Sequence, residues 1–406
     1  MPRVELASEL SRRSRMHSKI ACRPSQAKSL IVTSGRSVSF ASSNPARHQP
    51  PPYLRFTLEE YMGTMRWVFT ALAALLMFMA ISLPVRAQQP TWQVTKTLHI
   101  GGEGGWDYVT VDARTNRLFV TRSSHTQVID TATGKVLGDI PGQARSHGTA
   151  IVPAVNRGFI TEGGGPGAID VFDLTTYKLL GKIPTMPDSD GIIYDRFANL
   201  ILAVSGDKGK LMTFNPDIDL QTGRIDPPID LGGAPEFLAA DSDGKAYINL
   251  EDKDLVAVVD LKTHKVIARW PVAPGGHPVG MSIDGRDHLL FIGCRDPQKL
   301  IVMSTETGKV VAALPIGSTV DATKYVGDQA FASCGGSGEL FVASQKEGKW
   351  QVDQVVKTAM GARTMDIDGD NHTIYMPTAD REPAAPGERG PRMKPDSFMI
   401  VEVSQK

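Results

Sequence analysis

At intervals of about 40 residues the chain places a charged or titratable side chain one position ahead of a short apolar segment. These positions are Asp107, His147, Asp190, Glu236, His277, Asp321 and Arg363. Brought together, four carboxylates, two imidazoles and a guanidinium would form a cleft of convergent polar groups, the usual setting of a ligand site. The histidines and carboxylates also suit a divalent cation, although no His-x-His or His-Glu-x-x-His spacing fixes one locally. A competing account needs no ligand: loop residues are polar because they meet water, and a channel can hold water against them.

Other catalytic signatures do not survive inspection. The run Glu162-Gly163-Gly164-Gly165-Pro166-Gly167 is glycine-rich but lies between two strand-like segments rather than opening a helix, so it reads as a loop and not a phosphate cradle. There is no Gly-x-Ser-x-Gly elbow.

The elements that would position the seven residues come from a repeat. Its clearest unit is an apolar strand, an Asp, a Thr-Gly-Lys turn and a second apolar strand. It runs from Val128-Ile129-Asp130 to Thr133-Gly134-Lys135-Val136 and returns at Val171-Phe172-Asp173, Val258-Val259-Asp260 and Ile301-Val302-Met303, with weaker copies at Thr222-Gly223-Arg224 and Gly348-Lys349. The basic residues after the turn, 135, 178, 224, 265, 309 and 349, recur every 40 to 46 residues. A glycine there supplies the positive φ of a tight hairpin between β-branched flanks. Between these turns lie strand–turn–strand units such as 108–112 with 116–120 and 281–284 with 289–292, so each repeat holds four short strands, the make-up of one propeller blade.

Inner strands are expected near 108–112, 148–153, 191–194, 236–241, 279–284, 322–326 and 364–368. Trp92-Gln93-Val94 matches Trp350-Gln351-Val352, and Leu98-His99-Ile100-Gly101 matches Leu314-Pro315-Ile316-Gly317, so the chain begins with an outer strand that lacks a blade of its own. It can complete the last blade, whose third strand is expected at 398–401, and so remove exposed strand edges. The expectation is an all-β, seven-bladed β-propeller of four-stranded antiparallel blades over 88–406, closed by its N-terminal strand. The segment Asp380 to Asp396, rich in Pro, Gly, Arg and Glu, reads as a long loop.

The Asp-x-x-Thr-Gly-Lys-Val units, the strand–turn–strand pattern and the final Ser-Phe-Met-Ile-Val-Glu-Val strand resemble the YncE-like, or YVTN-repeat, β-propeller family over about residues 91–406. The resemblance implies an exported propeller, and members of the family are mostly of unassigned function; the polar mouth itself points to a scaffold that binds a small ligand or a periplasmic protein partner, with no cofactor predicted and a divalent metal allowed. Propeller subunits of quinoprotein amine dehydrogenases, similar in fold, are scaffolds for a partner chain. The alternative is a metal-dependent, lactonase-like hydrolase or lyase using the channel histidines and carboxylates. Lactonase propellers place an Asn in that set, and this chain has none at the matching positions.

Residues 1–61 are rich in Ser, Arg and Pro without a sustained period and read as an unstructured or mis-assigned extension. Residues 62–87 carry Met65-Arg66, an apolar run from Trp67 to about Leu83 and Val85-Arg86-Ala87, the three parts of a signal peptide, with translation expected to begin at Met62 or Met65. The run is short for a membrane span of about 20 apolar residues, so no span is expected after cleavage. Residues 88–406 hold 32 Lys/Arg and 40 Asp/Glu, a net charge of about −8 that disfavours nucleic acid as a partner. Cys294 and Cys334 follow strands in successive repeats, where the spacing between blades works against a bridge. Sequencing the N-terminus of exported material should give a start near Gln88. Cytoplasmic material beginning at Met1 would contradict the periplasmic or secreted assignment.

Overall fold

The structure is a computed structural model that describes residues 62, 63, 65–67, 69, 90–383 and 392–406. The chain divides into two units, Met1–Arg86 and Ala87–Lys406. In the first, the described residues Met62, Gly63, Met65, Arg66, Trp67 and Phe69 are helical. The extension over 1–61, most of the apolar run and the expected cleavage point lie outside the described residues. Among the described residues no helix is long and apolar enough to cross a membrane.

The second unit is an all-β propeller of four-stranded antiparallel blades. Five sheets have four strands each and one has seven. The seven-stranded sheet is continuous because Val136–Val152 serves twice: Val136 to Pro141 pairs with Ser123–Asp130, and Thr149 to Val152 pairs with Arg157–Glu162. The repeated turn is built as its residues require. Asp130 accepts hydrogen bonds from both the backbone N and Oγ1 of Thr133 at 2.7 Å, Asp173 does the same for Thr176, and Asp260 accepts from the backbone N of Thr263. The Asp three residues before the Thr is therefore an Asx-type turn former. Gly134 follows at φ +73°, where a side chain would be strained.

The innermost strands are Val109–Asp112, the end of Val136–Val152, Ser189–Asp195, Pro235–Ala240, Pro278–Asp284, Val320–Val326 and Asp366–Asp368. Successive inner strands pack together from Val109–Asp112 to Val320–Val326, and Asp366–Asp368 returns to Val109–Asp112. Val320–Val326 is linked to Asp366–Asp368 by an ion pair, Lys324 Nζ to Asp366 Oδ1 at 2.7 Å. Both faces of the second and third strands are buried, so they read as near-continuous apolar runs. Leu118 and Val120 face the sheet that closes the ring, while Phe119 faces the other way, onto Phe172 at 5.7 Å between centroids. Similar contacts tie other neighbours: Phe159 to Phe214, Phe291 stacked on Tyr325 at 4.7 Å, and Trp92 edge-on to Phe331 at 4.9 Å.

Closure takes the expected form. Trp92–His99 pairs antiparallel with Arg392–Gln405, from Trp92 opposite Gln405 to His99 opposite Met399. Trp92 is buried and its indole Nε1 donates to Gln329 Oε1 at 2.9 Å in the preceding sheet, while its backbone exchanges two hydrogen bonds with Gln354. The expected loop over 380–396 is shorter than the sequence suggests. Thr373–Glu382 and Arg392–Gln405 stay paired out to Glu382 opposite Arg392, because alternating partners such as Arg381 and Met393 carry the ladder onward. Residues 384–391 lie outside the described residues. Cys294 and Cys334 are free thiols buried in different clusters, and burial pushes each up to about 12.

Arg122 fastens the closing segment. It is fully buried and donates to the carbonyls of Gly101, Glu103, Gly104 and Gly105 and to Gln127 Oε1, with its guanidinium 3.6 Å from the Phe398 ring centroid. Burial lowers it to about 10, still charged at neutral pH. Replacing it leaves the buried Gly101 carbonyl and three partly buried ones without this donor, a lost buried bond costing about 1–3 kcal/mol, and empties the space over the Phe398 ring. Arg122→Ala should destabilise the protein by about 3–5 kcal/mol in urea unfolding. A loss below about 1 kcal/mol would show that the clamp is dispensable.

Candidate functional site

Four of the seven expected mouth residues are placed by a shared device. A hydroxyl at the inner end of one sheet donates to the backbone carbonyl of the mouth residue in the next. Thr121 bonds His147 O and Thr161 bonds Asp190 O, each at 2.6 Å; Ser333 bonds Arg363 O; and Thr364 bonds Asp107 O at 2.7 Å across the closure. Thr121, Thr161 and Ser333 are fully buried, so these bonds have no competition from water. Glycines permit the close approach. A Cβ on Gly191 would lie 2.6 Å from Glu236 O, and one on Gly163 would lie 2.7 Å from His147 Nε2. The second of these explains the first glycine after Glu162: Gly163 makes room for the imidazole.

The side chains form a connected chain of acidic and basic groups. Asp190 Oδ1 lies 3.5 Å from His147 Nδ1, which lies 2.6 Å from Asp107 Oδ2. Asp107 Oδ1 is 3.2 Å from Arg363 Nη2, and Arg363 Nη1 also pairs with Asp321. Asp321, 1 % exposed, holds Arg295 with its other oxygen. The mouth is thus electrically divided. One side carries Asp107, Asp190 and Glu236, and the other carries Arg363 and Arg295 around a buried counter-ion.

Six of the seven expected residues contribute to the mouth. His277 does not join the network: it is 43 % exposed, its Nε2 is paired with Glu251 at 3.1 Å, and its backbone N is held by Asp254. Arg295 and Glu251 were not legible as mouth residues. Both sit at the exits of second strands, Leu289–Arg295 and Lys245–Leu250, which antiparallel pairing returns to the mouth. A charged residue closing the second apolar run was the available signal, and Arg122 and Glu162 show it too.

Asp107, His147 and Asp190 bring one donor atom each within 4.8 Å of one another, a spacing that could hold a metal ion. His147 is only 8 % exposed and its Nε2 has no hydrogen-bond partner; Asp190 Oδ1 is likewise buried and unpartnered. Burial and then the charges of Glu236 and Asp107 drive the Asp190 carboxyl well above the usual carboxylate range. Burial, with Glu251 next in weight, pushes Glu236 up to about 7. Burial and the same carboxylates raise Tyr108 well above an ordinary phenol. One step inward, the rings of Tyr108 and Phe237 meet across the channel, 5.0 Å between centroids.

No protein-family model and no curated protein matches the chain. Solved structures similar to it include virginiamycin B lyase from Staphylococcus aureus, with a TM-score of 0.61, 14 % identity and coverage of 77 % of this chain and 99 % of that one. The WD40 β-propeller domain of Doa1 gives 0.60 and 14 %, covering 78 % and 97 %. Hydrazine synthase from Kuenenia stuttgartiensis gives 0.59 and 11 %, covering 72 % and 95 %. At these identities the likeness is one of fold alone.

The raised Glu236 has a thermodynamic consequence. The folded state keeps a proton that the unfolded chain releases above its ordinary carboxylate range, so this contribution to stability is full below that range and is lost as pH rises through about 7. The groups acting on it are Glu251, Arg295, Asp107 and His147. Glu236→Gln should raise the melting temperature by about 3 °C at pH 8 and leave it unchanged at pH 5. Thermal scans at the two pH values check this, and equal shifts at both would refute it.

Proposed function

We propose that this chain is an exported, seven-bladed binding propeller of the YncE-like kind, whose channel mouth holds a divalent cation between Asp107, His147 and Asp190 and receives an anionic ligand against it. The seven-blade count rests on the long sheet being two blades joined by one strand. A cluster of Phe119, Val128, Ile140, Ile160, Phe172 and Leu174 lies between its two halves, as such clusters lie between separate sheets.

The observation that carries the cation is the unpartnered, buried Asp190 Oδ1 facing an imidazole and a second carboxylate. A buried carboxylate without a donor is costly unless it is protonated or paired. One imidazole with two carboxylates suits Mn²⁺, Fe²⁺ or Zn²⁺ better than the all-oxygen preference of Ca²⁺ or Mg²⁺. Three protein ligands would leave a position open to a guest. Arg363 and Arg295, held by Asp321, supply donors for the guest's anionic end. The repeat pattern, the signal-like segment 62–87 and the acidic balance of 88–406 support the family and the exported location. A lyase stands among the fold neighbours, and turnover by this mouth is a separate outcome that metal binding alone does not require.

Equilibrium dialysis of the full chain against Mn²⁺ and Zn²⁺ tests the reading. One bound equivalent is expected, with at least tenfold weaker binding in His147→Ala and Asp190→Asn and less than twofold change in His277→Ala. No binding to the wild type, or equal losses in all three variants, would overturn it.

A further inference from the structure

Deeper along the same inner strands, past the Tyr108–Phe237 pair, lies a cavity of about 250 Å³. Its walls are largely apolar, from Val109, Ile151, Ile192, Ile193, Ala322 and Met365. Several polar side chains break this lining, among them Asp321, whose two oxygens are taken by Arg295 and Arg363, and two features bear on a ligand. One is the Lys324–Asp366 ion pair. Both Asp366 oxygens are engaged, Oδ1 by Lys324 and Oδ2 by the backbone N of Val111 at 2.8 Å. The ammonium has three N–H donors and this pair uses one of them. The other is Thr149, 5 % exposed, whose Oγ1 has no partner although its own carbonyl accepts from Thr110 at 2.7 Å. An orphaned buried hydroxyl costs free energy that a bound guest would recover.

We infer that this cavity is a second ligand site, distinct from the mouth, for a small carboxylate on an apolar skeleton. The acid end accepts from Lys324 and Thr149, and the skeleton lies on Ile151, Ile192 and Met365. Size sets the class. A dry cavity of about 150 Å³ accommodates benzene, so about 250 Å³ accommodates a single ring with a short acidic arm, on the order of ten non-hydrogen atoms. The Lys324–Asp366 pair carries no net charge, so a dianion is disfavoured there. The aromatic pair separates this space from the acidic side of the mouth.

Isothermal titration of the full chain with phenylacetate, and with neutral phenylacetamide, tests the inference. Phenylacetate should bind with one site and at least tenfold more tightly than the amide. Lys324→Met should abolish that preference. Thr149→Val, close to isosteric, should weaken phenylacetate at least threefold while leaving the melting temperature of the free protein equal or higher, which separates a ligand contact from a structural one. Should Lys324→Met fail to fold, Thr149→Val carries the test alone. Titrating the metal-free protein with phenylacetate reads this site without the mouth cation, so failure of the mouth cation and failure of this site are distinguishable. No binding of phenylacetate by the wild type, equal binding of acid and amide, or unchanged affinity in Thr149→Val would overturn the proposal.

Discussion

Everything in this molecule depends on joining its two ends. A ring of sheets gains its full burial only when the last sheet has a neighbour on both sides, and that requires Trp92–His99 to find Arg392–Gln405 across about 300 residues. The entropy of that closure is offset locally by dense contacts: the paired strands, Trp92 packed on Phe331, and Arg122 gathering the carbonyls of 101–105 over the Phe398 ring. Arg122 is an unusual choice, since a fully buried cation without a carboxylate partner is normally expensive. It is tolerated because carbonyl dipoles and an aromatic face replace the water it loses. The segment it holds leads directly into Asp107, so closure and the first residue of the mouth share one anchor.

The mouth follows from this ring by the same logic of replacing water. Once the hydroxyls of Thr121, Thr161, Ser333 and Thr364 fix neighbouring carbonyls, the side chains of successive sheets are forced within a few ångströms of one another. Acidic and basic groups then meet in sequence, from Asp190 through His147, Asp107, Arg363 and Asp321 to Arg295. Burial, and then neighbouring carboxylates, make Asp190 and Glu236 hold their protons more tightly. A positive guest beside the imidazole would favour the charged form of both, so it would be best received at that side of the mouth.

The legible part of the fold was the part written in local chemistry. Asp130, Thr133 and Gly134 announce their hairpin because each atom of the turn is supplied within four residues. The phase of the mouth residues was readable because it repeats with the strands. The lateral neighbour of each was not, because it arrives on a different strand through a register that alternation alone does not set. That is why His277 was expected inside while Arg295 and Glu251 were not seen. A residue at a mouth position can turn outward when a closer partner exists, and Glu251 is such a partner for His277. The same limit applies to 380–396: its composition reads as a loop, yet cross-strand pairing between Ala379 and Phe398 and then Arg381 and Met393 carries the ladder in as far as Glu382 opposite Arg392. Thr121 and Thr161 looked like ordinary strand residues, and only the ring geometry gives their hydroxyls a target.

Tyr108 ties the two ends of the channel together. Its phenol feels Glu236, Asp190, Asp107 and Arg363, which belong to the mouth, while its ring stands on Phe237 and lines the cavity beyond. A cation beside Asp190 and Asp107 would neutralise the charges that now hold the phenol's proton on, and a guest in the cavity would press on the same ring from the other side. Because Tyr108 is buried and its backbone N donates to His147 O at 3.2 Å, it has little freedom to yield to one side without moving a mouth residue. Two connections therefore join the spaces: this aromatic pair with the strand that follows it, Val109–Asp112, whose Val111 N also steadies the Lys324–Asp366 pair, and Asp321, which lines the cavity and holds Arg363 and Arg295.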